Sequence, residues 1–500
     1  MEKATNHNHW VIFLLVSSML SVCPAMLRGV DPPDTPLFFT LQNVIEMALQ
    51  QSPESKNIKN KLDNAFWNFR NYKTSFRPSL NLSGSLPDFR SKNTPIIQPD
   101  GSVLFRNINL SQSSVLLSLN QEIAATGATI YAATDLARID DFEKRTLDWS
   151  SSPFLIGLKQ PVFGFNNKLW TKKIEPLRWE ESQKNYAEEM EQVAYTATQL
   201  FFESLRAQTD VDLSESNLKN SLSNLEIANE NRKLGKISQN DFDRINLSVL
   251  NAKKALNKAS MELEIAEYNL RSYIGSDQPE KTQLVVPEDV PKLVIDMQTA
   301  LDQASSNRKE YPQLKRRMLE AERNLKQARK NNGLNASLDI VYGLTNTGKK
   351  VSNLLTNPEV QKIVQLSFSI PVLDWGRSAS SVKMAESKSE LVKYEVDQQS
   401  LQFEREIIVQ VEQFRLLYEQ IETSEQADKV AEDGYQIALK QYQNGNLGII
   451  NLNIALQERE QARRDFINSL ASFWMAYYKI RMLTLYDFEN NRSLKTEIKY

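Results

Sequence analysis

The chain has 500 residues, 60 Lys+Arg against 62 Asp+Glu, and only 15 glycines. Balanced charge excludes a nucleic-acid surface built on excess positive charge. Scarce glycine with abundant Ala, Leu, Glu, Lys and Gln favours long helices over an all-strand or glycine-loop enzyme architecture. The single cysteine, Cys23, and the only histidines, His7 and His9, lie near the start. The chain beyond them cannot form disulfides, Cys/His metal sites or the commonest catalytic triads. No cofactor, metal or catalytic residue is therefore expected, and carboxylate chemistry has no motif behind it.

Residues 1–25 read as a signal peptide. Lys3 sits in a short polar start, Trp10 to Leu20 is almost unbroken apolar sequence, and small residues dominate Ser21 to Ala25. About 11 apolar residues are too few to span a bilayer but suit a signal core. A short membrane anchor is the alternative. Cleavage after Ala25 is one outcome. Leu20-Ser21-Val22-Cys23 also resembles a lipobox, which would make Cys23 a lipidated N-terminus, although Val22 is bulky for that motif. No later segment reads as a transmembrane helix, so any membrane crossing must use strands.

The rest divides into two similar halves, 37–275 and 297–482, joined by a Pro-containing linker, 276–296, and followed by a tail, 483–500, which after Asp487 is polar and expected to be mobile. The first half opens with a short helix, Leu41 to Leu49, then Ser52-Pro53, with proline at a position where its missing N–H is not needed. A helix over Glu54 to Thr74 follows, then a strand, Pro78 to Gly84. A second strand, Phe154 to Gly164, is closed by Pro161. Between them, Leu86 to Ser152 has strand-like pieces (Val115–Asn120, Ala128–Thr134) and reads as a loop or hairpin extension at the exposed end. A very long helix then runs from Lys172 to Leu234. At about 1.5 Å per residue it spans roughly 95 Å. A tight turn, Leu234 to Asp241, leads into a return helix, Phe242 to Ile274.

The second half repeats these stations. A helix over Met297 to Ala304 precedes Glu310-Tyr311-Pro312. A helix over Gln313 to Lys330 ends in a strand, Asn335 to Val341. In Val364 to Arg377, Leu366, Phe368 and Ile370 alternate with Gln365, Ser367 and Ser369, the period-two pattern of a strand with one apolar face. That pattern fits both a lipid-facing barrel strand and a half-buried strand of a soluble sheet. A long helix, Ser378 to Tyr442, a turn, Asn444 to Ile450, and a return helix to Met482 complete the copy.

Both return helices carry a seam stepping by three and four. In the first it runs through Phe242, Ile245, Val249, Ala252, Leu256, Ala259, Leu263, Ala266, Leu270 and Tyr273. In the second it uses Leu452, Ala455, Ala462, Phe466, Phe473, Ala476 and Ile480, interrupted by Arg459. Large residues alternating with Ala let helices interdigitate closely. In each half the shorter helices together nearly match the long one, so two short helices can stack end to end beside it.

These stations resemble the TolC family of outer-membrane efflux proteins over nearly the whole mature chain. The most specific matches are the strand-Pro stretch Ile370 to Arg377 and the two helix-tip turns, in duplicate. The resemblance implies an α-helical barrel plus a transmembrane β-barrel, built from a duplicated helix/strand repeat. It implies a homotrimer in outer-membrane lipid, four strands per protomer in a 12-stranded barrel, and a tunnel reaching into the periplasm. It also implies two partners, a periplasmic adaptor and an inner-membrane transporter, with docking at Gly235, Lys236, Ile237 and Ser238 and at Gly445, Asn446, Leu447 and Gly448. Asp241 and Tyr442 match a family gate pair, an Asp after the first turn held near a Tyr at the second. Asp241 also suits a helix N-cap, and Tyr442 also suits seam packing. Where the best-studied member has an Arg, this chain has Leu447. Where it rings the tunnel mouth with two Asp, this chain has Asn451 and Ile454. A periplasmic coiled-coil adaptor or a structural stalk protein are the competing readings. The duplication and the strand-Pro motifs argue against both.

Overall fold

The structure, a computed structural model, describes residues 37–276, 282–287 and 289–494. The signal region, with Cys23, lies outside them. Elements follow in chain order: β1 (Leu37–Phe39), α1 (Leu41–Gln51), α2 (Pro53–Ser75), four strands β2 (Ser79–Ile97), β3 (Val103–Ile123), β4 (Ala128–Asp141) and β5 (Thr146–Pro161), then α3 (Asn167–Lys233) and α4 (Gln239–Ile274). The linker contributes β6 (Thr282–Leu284), and the second copy comprises α5 (Met297–Asn307), α6 (Glu310–Asn331), β7 (Asn335–Gly348), β8 (Glu359–Ser369), α7 (Arg377–Gln443) and α8 (Ile449–Thr484), followed by β9 (Tyr486–Asp487) and β10 (Arg492–Ser493).

The helices form a ribbon. In its lower part α4 packs on α3, α3 on α8, and α8 on α7. Nearer the strands α2 packs on α3, α3 on α6, and α6 on α7. The end of α4 meets the start of α2: a Cβ on Gly275 would sit 3.0 Å from the Gln51 carbonyl oxygen and 3.8 Å from Pro53 Cδ. Gly275 ends α4 in the left-handed region (φ 72°), where a side chain would be strained. The second copy has the same joint, with Asn307 Nδ2 donating to the Thr484 carbonyl at 3.3 Å. The seam residues of α4 face α3: Ile245, Ala252, Ala259 and Leu270 are buried.

Helix α3 begins five residues before the expected Lys172, so Pro176, expected in its first turn or so, lies more than two turns inside it. Proline there leaves the carbonyl four residues back without its helical donor. That carbonyl is Lys172's, and the Tyr72 hydroxyl of α2 donates to it at 3.4 Å. A partner one hundred residues away thus covers the local defect.

The main core lies near the middle of the ribbon, where Phe201, Phe202 and Leu205 of α3 meet Phe414 of α7 and Ile467, Leu470 and Phe473 of α8. The linker is seated there too. Strand β6 pairs in parallel with β1, and Gln208 of α3 exchanges two hydrogen bonds with the Leu284 backbone, at 2.9 and 3.1 Å. The tail expected to be mobile is held as far as Leu494, whose N–H donates to the Leu485 carbonyl at 2.9 Å.

The sheet corrects the sequence reading. It has six strands in the order β2-β3-β4-β5-β7-β8, all neighbours antiparallel, where four were expected. Most of segment 86–152, taken as an extension, is regular strand. The turn between β3 and β4 also lies at the helical end of the sheet, not at its far end. Asn166, the N-cap of α3, donates to the carbonyls of Ala124 and Ala125 at 2.9 and 3.2 Å. Gln160 of β5 donates to the Thr126 carbonyl at 3.0 Å, and Lys168 pairs with Glu122.

Register puts apolar side chains on one face. Leu80 lies opposite Leu119, Leu119 opposite Ala132, Ala132 opposite Ile156 and Ile156 opposite Tyr342. A neighbouring row runs Ile130, Leu158, Ile340, Val364. The other face is mainly polar, with Asn81, Ser83, Ser118, Asn120, Asp135, Asp339, Gln365 and Ser367, and also holds Leu116, Leu155, Val341 and Ile363. Leu82, Phe154, Val364, Leu366 and Phe368 are exposed. No helix among the described residues is long and apolar enough to cross a membrane.

Candidate functional site: the two hairpin tips

The ribbon ends in two turns, one joining α3 to α4 and one joining α7 to α8. Both stop the incoming helix in the same way. In the first, Gly235 (φ 67°) donates to the Arg232 carbonyl and Lys236 to that of Asn231. In the second, Gly445 (φ 78°) donates to Tyr442 and Asn446 to Gln441. This is a Schellman stop, in which a left-handed residue lets two N–H groups reach back to orphan carbonyls. A Cβ at either glycine would meet nothing within 4 Å, so glycine is required by backbone conformation alone.

The return helices start differently. Ser238 caps α4: its Oγ accepts from the Asp241 N–H at 3.1 Å and donates to Asp241 Oδ2 at 2.7 Å. Asp241 is therefore three residues beyond the cap and is not itself the cap. Gly448 begins α8 with no side-chain cap. Gly235, Lys236, Ser238, Gly445, Asn446 and Gly448 are exposed, while Ile237 and Leu447 occupy equivalent places and are half-buried.

Tyr442 is half-buried on α7, and burial raises its hydroxyl pKa above the usual 10.0. It stays a neutral donor at neutral pH. Within one protomer Asp241 bonds to Ser238 and Tyr442 lies on the other hairpin. Asn451 and Ile454 are exposed in the first turns of α8.

Sequence reasoning missed a polar ladder above the tips that ties the two hairpins together. Arg464 of α8 donates to Asp210 of α3 at 2.7 Å, Asn217 donates to Glu460 at 3.4 Å, and Asn220 of α3 donates to the Tyr435 hydroxyl of α7. Arg459, the break in the α8 seam, belongs to it. Its guanidinium lies 4.8 Å from the Tyr435 ring centroid and bonds to Glu432. The interruption in the heptad was the available signal, since a charge in a seam needs a partner. Among the described residues, Asn220–Tyr435 is the cross-hairpin bond nearest the tips. Below it α3 runs about 20 Å further and α7 about 12 Å further at 1.5 Å per residue.

A long helical ribbon joined to an antiparallel sheet with one mainly apolar face is a fold shared with several solved outer membrane channels. The fold is similar to the Campylobacter jejuni CmeC outer membrane channel, with TM-score 0.65, 14% identity, and 91% of this chain aligned with 87% of that one. It is similar to the outer membrane protein VceC of Vibrio cholerae, with TM-score 0.61, 12% identity, and 89% of this chain aligned with 95% of that one. It is also similar to the open state of the Neisseria gonorrhoeae MtrE outer membrane channel, with TM-score 0.57, 12% identity, and 89% and 88% aligned. No curated protein matches. Residues 300–483 match the family model described as outer membrane efflux protein. That match covers the second repeat, a little over a third of the chain.

Proposed function

We propose that this chain is the passive exit duct of a tripartite efflux or secretion system. Three copies form a channel in the outer membrane, and an inner-membrane transporter feeds it through a periplasmic adaptor docked on the two tips. The observation that carries this reading is that the ribbon is open along both edges. One edge is β2, α2 and α4. The other is β8 and α7. Each helical edge bears exposed apolar residues at coiled-coil spacing. On α4 these include Leu247, Met261 and Tyr268. On α7 they include Tyr394, Leu401 and Ile408, then Leu416, Val430 and Ile437. Such stripes are stable only against a partner helix. Head-to-tail contact between unlike edges closes into a ring. A wholly helical stalk or adaptor has no use for the apolar outer face of the sheet.

The native mass in mild detergent tests this. A trimer that fractionates with outer membranes is expected, and a water-soluble monomer with no affinity for bilayers would overturn the reading. Adaptor docking is read by crosslinking from cysteines placed at residues 235–240. A failure to trap any adaptor counts against those turns.

The gate pair comes from the family resemblance at the tips. In the closed trimer Tyr442 donates to Asp241, a latch worth about 1.5–3 kcal/mol. Asp241→Ala and Tyr442→Phe should each raise single-channel conductance or open probability, and unchanged closure in both would remove the latch. With Asn451 and Ile454 in place of two acidic residues, divalent cations should block only weakly from the periplasmic side. Strong micromolar block would contradict this.

A further inference from the structure

We propose that this channel's membrane barrel has eighteen strands, six from each of three chains, so that its lumen is as wide as the helical tunnel beneath it. The proposal rests on the trimeric reading above and departs from the twelve strands that the family resemblance implies.

Four observations lead there. First, the additional strands β3 and β4 lie inside the sheet, with β2 outside them. They cannot be removed from the wall without separating β2 from β5. Their turn is bolted to the helical end through Asn166, Gln160 and Lys168, so they start at the same level as the other strands. Second, they carry the same apolar face. Val115, Leu117 and Leu119 on β3 and Ile130 and Ala132 on β4 continue the row from Leu80 and Leu82 to Ile156 and Tyr342. A hairpin folded into the lumen or standing free in water would have no reason to keep lipid-facing and polar sides in register with its neighbours. Lys362 shares the apolar face, but it sits near the outer start of β8, where its ammonium can reach the headgroups.

Third, the two unpaired edges suit one another. β2 leaves α2 and β8 returns into α7, so β8 of one chain would run antiparallel to β2 of the next, as every pair within the sheet does. Edge strands in lipid must find a partner, because each open backbone group costs several kcal/mol. Fourth, the circumferences agree. A strand spacing of about 4.8 Å and a tilt of about 40° give each strand roughly 6 Å of wall. Eighteen strands make roughly 110 Å. The four helix columns per protomer, at about 9–10 Å each, make roughly 115 Å in a trimer. Twelve strands would make only roughly 75 Å and would narrow the exit. Since barrel diameter grows about linearly with strand number, the lumen is about 1.5 times wider. Solutes that pass the tips and the tunnel meet no further neck in the wall.

Two measurements on the full-length protein in liposomes test this. A cysteine replacing Leu117 and, separately, Ser118 is labelled with a small fluorophore. The label at 117 should be quenched by spin-labelled lipid and the label at 118 by aqueous iodide. Iodide quenching of both, with no lipid effect, would place β3 outside the wall and overturn the proposal. In the second measurement, Leu82→Cys is combined in turn with cysteines at Val360, Lys362, Val364 and Leu366. At least one pair should oxidise to a covalent trimer. No trimer from any pair, in a protein whose native mass is still three chains, overturns the eighteen-strand wall while leaving the exit-duct reading standing. A native mass of one chain would instead sink that reading.

Discussion

Arg481→Ala is expected to destabilise the protein by about 3–5 kcal/mol, the cost of removing one partner from a buried charge cluster. The Arg481 guanidinium reaches Glu191 of α3 through two parallel bonds, Nε at 3.0 Å and Nη2 at 3.1 Å. It also donates to the Tyr477 hydroxyl at 3.3 Å and to Asp487 at 3.5 Å. Asp487 is 1% exposed. Alanine would leave two carboxylates in the interior with their main cation gone. Arg481→Lys should recover only part of the loss, because an ammonium cannot reproduce the forked pair. The measurement is the apparent melting temperature, with proteolysis of residues 485–494 as the local readout. An R481A protein that melts with wild type would show that the cluster contributes nothing.

The same cluster sets an acid sensitivity. Burial pushes the Asp487 carboxyl up, but bonds from the Asn490 side chain and backbone, and the Arg481 charge, hold it below the usual 3.8. A carboxyl depressed in the folded state contributes fully above its unfolded pKa, and that contribution is lost as pH falls through the folded value. Acid should therefore release the β9–β10 hairpin, and Asp487→Asn should make that release insensitive to pH at a lower starting stability. Opposite behaviour, with loosening as pH rises, would refute the assignment. Burial also pushes the neighbouring Tyr477 hydroxyl up to about 12, so it stays neutral throughout this range.

Phe473→Ala should cost about 3–5 kcal/mol, the range for emptying a buried aromatic site. Phe473 is 0% exposed, and its ring centroid lies 5.1 Å from that of Phe414 on α7 and 5.7 Å from that of Trp474. It sits where both copies of the repeat meet, so the cavity would loosen the α3–α8 joint as well as α8 itself. The exposed Phe105 is the control, since its replacement by Ala should change stability by no more than about 0.5 kcal/mol. Urea unfolding in detergent reads both. Equal midpoints for F473A and wild type would mean that this core does not hold the ribbon together.

Phe473 was legible as a seam residue because the three-and-four spacing needs only local sequence. The long helices, their glycine stops and the prolines closing strands were legible for the same reason. Arg459 was read as a break because its partners, Glu432 and Tyr435, lie on α7, about 25 residues away in sequence. The two additional strands of the sheet were missed for a related reason. Strands of this kind carry little signal individually, and β2, read only as far as Gly84, runs on through Pro87 and Pro95. Yet β2 is the edge of the sheet, where proline is tolerated, and a bulge falls between Ser85 and Asp88.

The sequence by itself determined the duplicated helix-strand plan, the family resemblance and the positions of Gly235 and Gly445. Helical period, strand alternation and left-handed turns are written in neighbouring residues. Only the tertiary structure decided that β3 and β4 belong to the same sheet as the other strands. It also decided that Tyr72 covers the carbonyl freed by Pro176, and that the tail is anchored around Asp487. Each of these depends on a group far along the chain meeting an otherwise unsatisfied polar atom or strand edge, and no local pattern encodes which distant group will arrive.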